Sequence, residues 1–193
     1  RSKKVPAELI PYFVTGLKGS RRKVVYDESL TFLSGEVKKN NPKQLVTLDE
    51  LLALTGNTQN GAAVFKRSCN VCHQVGKEGF DLGPKLTEIG SKLPKEGLFD
   101  AIIHPSAGIN FGFETYQIDM KDGSNLIGII TSKTETEIEI KFPGGITQKI
   151  NKNNIKTIKI MAESLMPEGL HENMTKQELA DIIQYLSTLK KKG

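Results

Sequence analysis

Cys69-Asn70-Val71-Cys72-His73 contains both cysteines of the 193-residue chain, and its reading decides how everything around it is read. Cys-x-x-Cys-His is the attachment signature of c-type haem. The spacing has a physical reason: from the end of a short helix, two thiols three residues apart reach the two vinyl groups on one edge of a porphyrin. The next residue's imidazole is then turned under the ring toward iron. Two other chemistries compete for the same residues. A structural zinc site needs about four ligands, and beyond Cys69, Cys72 and His73 the chain offers only the scattered His104 and His171. A thioredoxin-like pair needs a strand just before the motif, whereas Gly61 to Ser68 reads as helix. A chance match is left open by the pentapeptide alone.

Working outward, Asn57 or Thr58 is placed to cap a helix whose apolar positions Ala62, Val64 and Phe65 lead straight into Cys69. Downstream, Phe80-Asp-Leu-Gly-Pro-Lys-Leu86 puts Gly83-Pro84 in a loop shortly after His73. Near the end, Ser164-Leu-Met-Pro-Glu-Gly169 precedes a capping box, Thr175 with Glu178. That box opens a helix with Leu179, Ile182, Ile183, Leu186 and Leu189 spaced three and four apart. The order is therefore helix, Cys-x-x-Cys-His, Gly-Pro loop, helix, Met-Pro loop, helix.

With these residues in hand the chain resembles the class I cytochrome c family. The pattern is carried by Gly61 and Phe65 on the first helix, Cys69, Cys72 and His73, then Gly83-Pro84-Lys-Leu86, Met166-Pro167, and Tyr185-Leu186 on the last helix. More narrowly, Gly61 to Leu189 is similar to the haem-binding domain found at the C-termini of large exported proteins of planctomycetes, verrucomicrobia and Bacteroidetes. Ile103-His-Pro-Ser106, Asp122-Gly123 and Ser164-Leu-Met-Pro-Glu-Gly-Leu170 carry that closer likeness.

The resemblance implies one covalently bound haem c, attached at Cys69 and Cys72, with His73 as the proximal iron ligand. It further implies that the Pro84 carbonyl accepts a hydrogen bond from the other nitrogen of that imidazole, which sets the tautomer. For the distal position the candidates are Met120, Met161, Met166, Met174, His104 and His171. Met120 sits in an alternating, strand-like run, Met161 ends another, and Met174 stands just before a helix cap. His104 precedes Pro105, where helices end. Met166 lies in a loop stiffened by Pro167, just before the last helix, and is the expected distal ligand.

The implied function is single-electron transfer by a monohaem cytochrome domain, not an enzyme, serving an exported dehydrogenase or respiratory partner. The donor or acceptor is expected to be an upstream dehydrogenase domain or an acidic-faced protein. A haem enzyme or gas sensor with an open distal site is the alternative, as is an interaction module in which haem is secondary. Covalent haem implies maturation outside the cytoplasm, so the expected location is periplasmic or otherwise exported. The start, with Glu8 and Pro11 where an export signal would be apolar, is that expected of a mature chain or an excised domain.

The remaining sequence divides by period. Residues 112–160 alternate, with strands expected at Thr115 to Lys121, Asn125 to Thr131, Thr136 to Phe142, Ile146 to Ile150 and Ile155 to Ile160. Residues 1–55 read as a helical extension, with helices at Ala7 to Lys18, Arg21 to Lys39 and Leu48 to Leu54. The expected architecture is a mainly α cytochrome c core, residues 56–111 and 161–193, with an inserted small antiparallel β-sheet or barrel at 112–160 and the N-terminal helical extension. Hydrophobic residues at 37% and charged residues at 25% suffice for a folded core. The net charge of +5 is mild and gathered in short Lys and Arg clusters and not in a stripe with stacking aromatics, which argues against nucleic acid. No apolar run reaches the length of a membrane span.

Overall fold

The computed structural model describes residues 47–191. The helices expected at Ala7 to Lys18 and Arg21 to Lys39 lie outside them.

Side-chain oxygens start three of the four helices. Thr47 and Glu50 form a reciprocal capping box at the start of α1, Leu48–Leu52. Asn57 opens α2, Thr58–Ser68, accepting the amides of Gln59 and Asn60 at 2.9 and 3.0 Å. Thr175 and Glu178 form a second capping box on α4, Lys176–Thr188. Satisfying these otherwise orphaned amides typically contributes about 1 kcal/mol per cap. The remaining helix, α3, spans Lys95–Ile103 behind Pro94, whose fixed φ suits a helix start, and ends at His104.

The helices close on one core. Leu51 of α1, Val64 and Phe65 of α2, Leu98, Phe99, Ile102 and Ile103 of α3, and Leu179, Ala180, Ile182, Ile183 and Leu186 of α4 are all buried in it. The crossing of α2 and α4 is close because Gly61 has no side chain. A Cβ there would stand 2.0 Å from the Asp181 carbonyl oxygen and 2.7 Å from Tyr185 Cβ. One turn on, the Phe65 and Tyr185 rings meet at 5.8 Å between centroids. Asp181 is buried at the same crossing, its Oδ1 accepting from the Asn57 amide at 2.7 Å and from Gln177 Nε2 at 2.8 Å.

After the Cys-His segment the chain makes a short hairpin, β1 (Gln74–Val75) with β2 (Glu78–Gly79). The period-two region then folds as β3 (Thr115–Met120), β4 (Asn125–Lys133), β5 (Glu137–Lys141), β6 (Thr147–Asn151) and β7 (Ile155–Ile160). All neighbours are antiparallel, in the order β6-β5-β4-β3-β7, so the sheet is open and β6 and β7 are its edges. Ile118, Ile138, Ile140 and Ile150 bury one face, with Met120, Leu126, Ile130, Phe142 and Ile155 packed around them.

This corrects the expected architecture. The protein is not a mainly α cytochrome c core carrying a small insertion, since a five-stranded sheet stands beside only four α-helices among the described residues. The physical reason is the second core: a run of alternating Ile residues buries its own apolar face within the sheet, separately from the helical core. That makes a layer in its own right, and the class is α+β.

Candidate haem-attachment site

The Cys-His segment lies at the outgoing end of α2. Cys69 is the C-cap of that helix, its amide donating to the Phe65 carbonyl at 2.8 Å. The next turn is tight: the amides of Cys72 and His73 both donate to the Cys69 carbonyl, at 3.0 and 2.9 Å. Both thiols are free. Cys69 packs against the helical core, and burial, aided by the neighbouring Cys72, pushes its thiol up to about 12. Burial raises the Cys72 thiol too.

His73 Nδ1 lies 2.8 Å from the Pro84 carbonyl oxygen. A carbonyl only accepts, so Nδ1 carries the proton and Nε2 keeps its lone pair as the ring's open donor to a metal. Burial holds the imidazole below its usual range, partly opposed by this same hydrogen bond, and so favours the neutral ring that can ligate. Gly83 explains why the ring can sit there. A Cβ at that position would stand 2.6 Å from His73 Cε1 and 2.9 Å from Nδ1, so only glycine lets the loop lie against the imidazole. The Gly83 amide also donates to the Cys72 carbonyl at 2.7 Å, and that of Leu86 to Gln74 at 2.9 Å, which ties the Gly-Pro loop back onto the Cys-His turn.

Met166 lies against the helical core, as Cys69 and Met174 do. Its loop is pinned in two steps: the Met166 amide donates to Ser164 Oγ at 3.1 Å, and the Ser164 amide to Ser106 Oγ at 3.1 Å. The other candidates are placed differently. Met120 packs in the sheet core, and His104 closes α3 through its amide on the Asp100 carbonyl at 2.8 Å. His171 stands in a short 3-10 turn after the Met-Pro loop, with Nδ1 buried and without a hydrogen-bond partner among the described residues.

The donor set fits a covalently attached haem: two thiols in one turn and an imidazole held by Nδ1 with Nε2 left open. Zinc finds less, because no group of three or more His, Cys, Asp or Glu side chains among the described residues could hold a metal ion. Sequence pattern offers no sign of two further features. Asn70, between the cysteines, buries its Oδ1 without a hydrogen-bond partner among the described residues, close against the backbone of Gly79. Asp81 pairs with Lys141 of β5, 60 positions away, where no local spacing could reveal it.

Residues 56–127 match the family described as cytochrome C oxidase, cbb3-type, subunit III. This supports a c-type cytochrome domain. The match covers α2, the Cys-His segment, the Gly-Pro loop, α3 and β3, and stops short of Met166 and α4. No curated protein matches the chain. Among the described residues no helix is long and apolar enough to cross a membrane.

Proposed function

We propose that this chain is a monohaem c-type cytochrome that passes single electrons between protein partners outside the cytoplasm. The observation that carries the reading is the hydrogen bond from His73 Nδ1 to the Pro84 carbonyl at 2.8 Å, directly after two free thiols in one turn. A structural histidine needs no such division of its two nitrogens; an iron ligand does.

When bound, haem supplies a one-electron change between ferric and ferrous iron. Cys69 and Cys72 would tether it as thioethers, each thiol adding across a vinyl group, so that it could not dissociate. His73 offers Nε2 as the proximal ligand, and the Pro84 carbonyl holds the ring's tautomer and raises its basicity. Gly83 keeps the loop on the imidazole face and so limits its rotation. Met166, on a loop fixed through Ser164 and Ser106, would be the second residue to hold the iron, and a thioether there would favour the ferrous state. With both His73 and Met166 as its ligands, a haem held here would offer no position to a substrate, which would suit electron transfer rather than catalysis. The haem-bearing part is residues 56–111 with 161–193, the helical core and its loops.

The partner is a redox protein, with an exported dehydrogenase or a respiratory acceptor as its class. The test is the absorption spectrum of haem-loaded protein, oxidised and reduced, for the wild type and Met166→Ala. A low-spin wild type whose weak far-red sulfur-to-iron band disappears in Met166→Ala is the expected result. A high-spin wild type that binds carbon monoxide readily would contradict it.

A further inference from the structure

The end of β5 and the turn between β5 and β6 meet the attachment segment and the loop after it in three chemically different ways. The Gly144 amide donates to the carbonyl of Val71, the residue midway through the Cys-x-x-Cys turn, at 3.0 Å. Gly145 lies on the Phe80 ring: a Cβ there would stand 2.6 Å from Phe80 Cδ1. Lys141, at the end of β5, pairs with the Asp81 carboxylate. The Lys141 side chain is only 15% exposed, while Asp81 at 55% faces solvent, so the pair is anchored from the lysine side.

The corner is shaped for that contact. Pro143 begins it, and Gly144 and Gly145 both take positive φ, 80° and 75°, which a side chain would oppose. The Gly144 amide is thereby turned outward, to a carbonyl that no bond within the Cys-His turn uses. On the other side, the Phe80 amide donates to the Asn70 carbonyl at 3.1 Å, so whatever holds Phe80 and Asp81 also holds the residues between the cysteines.

We propose that the β5–β6 corner is a clamp on the haem-attachment segment, with Lys141, Phe80 and Asp81 as positioning residues that hold it in place and so set the reduction potential. This rests on the haem reading above and assigns the sheet a part in it. Breaking the clamp exposes the segment, and greater exposure of a cationic iron centre to water favours the ferric state and lowers the potential. Lys141→Met also leaves Asp81 uncompensated, which pushes the potential the same way. Phe80→Ala changes no charge and isolates the effect of exposure.

The experiment uses the haem-loaded protein and reads three quantities: amide exchange of Gly144, the reduction potential, and the absorption spectrum. For Lys141→Met the Gly144 amide is expected to exchange about two- to fivefold faster, the range of a weak to moderate ion pair. The potential falls with the axial-ligand spectrum unchanged, and Lys141→Arg restores both. Phe80→Ala lowers the potential as well. Faster exchange with an unmoved potential in both variants would make the corner a packing contact and overturn the proposal, as would no change in either quantity. A wild type that takes up no haem overturns the haem reading itself, and the clamp with it.

Discussion

The helical region and the sheet each bury a core, but they assemble it over different distances. The helical core draws on Leu51 at one end and Leu186 at the other, so α4 must return across more than half the chain before Phe65 and Val64 are covered. The sheet core is four isoleucines between Ile118 and Ile150, closed by successive hairpins, with only the β3–β7 pairing made at longer range. Every residue proposed to hold haem lies on the helical side, on segments whose placement depends on that long-range closure. A layer closed locally thus meets a region built from distant pieces, and it meets it at the Cys-His turn, through the Gly144 amide on the Val71 carbonyl.

The largest expected effect comes from breaking one core and watching the other. Phe65→Ala should cost about 3–5 kcal/mol, measured by urea unfolding, and strip exchange protection from α2 and α4 first. Ile140→Ala, with Ile140 fully buried in the sheet, should cost about 2–5 kcal/mol and do the reverse. If each variant instead loses protection equally in both regions, the two cores are one cooperative unit and the comparison fails.

A smaller and more local effect is expected at the loop. Gly83→Ala forces the chain or the imidazole to move, because its Cβ would stand 2.6 Å from His73 Cε1. The cost should be about 1–3 kcal/mol, as for other overpacked sites. Its diagnostic is the His73 Nδ1 proton in the NMR spectrum, hydrogen-bonded and slowly exchanging in the wild type and lost in the variant. Retention of that proton would mean that the loop does not position the ring.

The smallest effect is the pH dependence of the haem-free protein. Burial lowers the affinity of His73 and His171 for a proton from the ordinary value of 6.5; the Pro84 bond opposes this at His73, and the charges of Glu172 and Glu168 oppose it at His171. The unfolded chain then binds more protons than the folded one once pH drops toward 6.5 and below. Stability from these groups is complete above that point and declines beneath it. The carboxylates of Asp81 and Glu178 are held below their ordinary values of 3.8 and 4.5, so their contribution is lost only in stronger acid. Urea midpoints from about pH 7.5 to about pH 5 should therefore fall, and His73→Gln with His171→Gln should flatten the curve. An unchanged curve would mean that neither ring is buried as described.

Much of this was legible in the residues. Alternation in Glu137-Ile-Glu-Ile-Lys141 and the spacing of Leu179, Ile182, Ile183 and Leu186 mark a strand and a helix because burial acts on one face of each. Thr175 and Glu178 mark a helix start because the unpaired amides there need acceptors. The overall class was not legible, because periodicity locates strands without saying that they close a core apart from the helices. Contacts set by the tertiary fold were also out of reach. Asp181 reads as a polar residue on an amphipathic helix, yet it is buried and holds the Asn57 amide 124 positions away. Lys141 and Asp81 read as two solvated charges, and Gly144 as a turn residue; their meeting with the Cys-His turn is a product of the whole fold.

The most direct test of the central claim is the intact mass of the protein, measured under denaturing conditions after expression with a c-type haem maturation system. The wild type should carry one haem that survives unfolding, and Cys69→Ser with Cys72→Ser should carry none, while His73→Ala keeps the added mass of haem but loses the low-spin spectrum. A wild type whose mass equals that of the bare chain, or whose haem is lost on unfolding, would contradict the account.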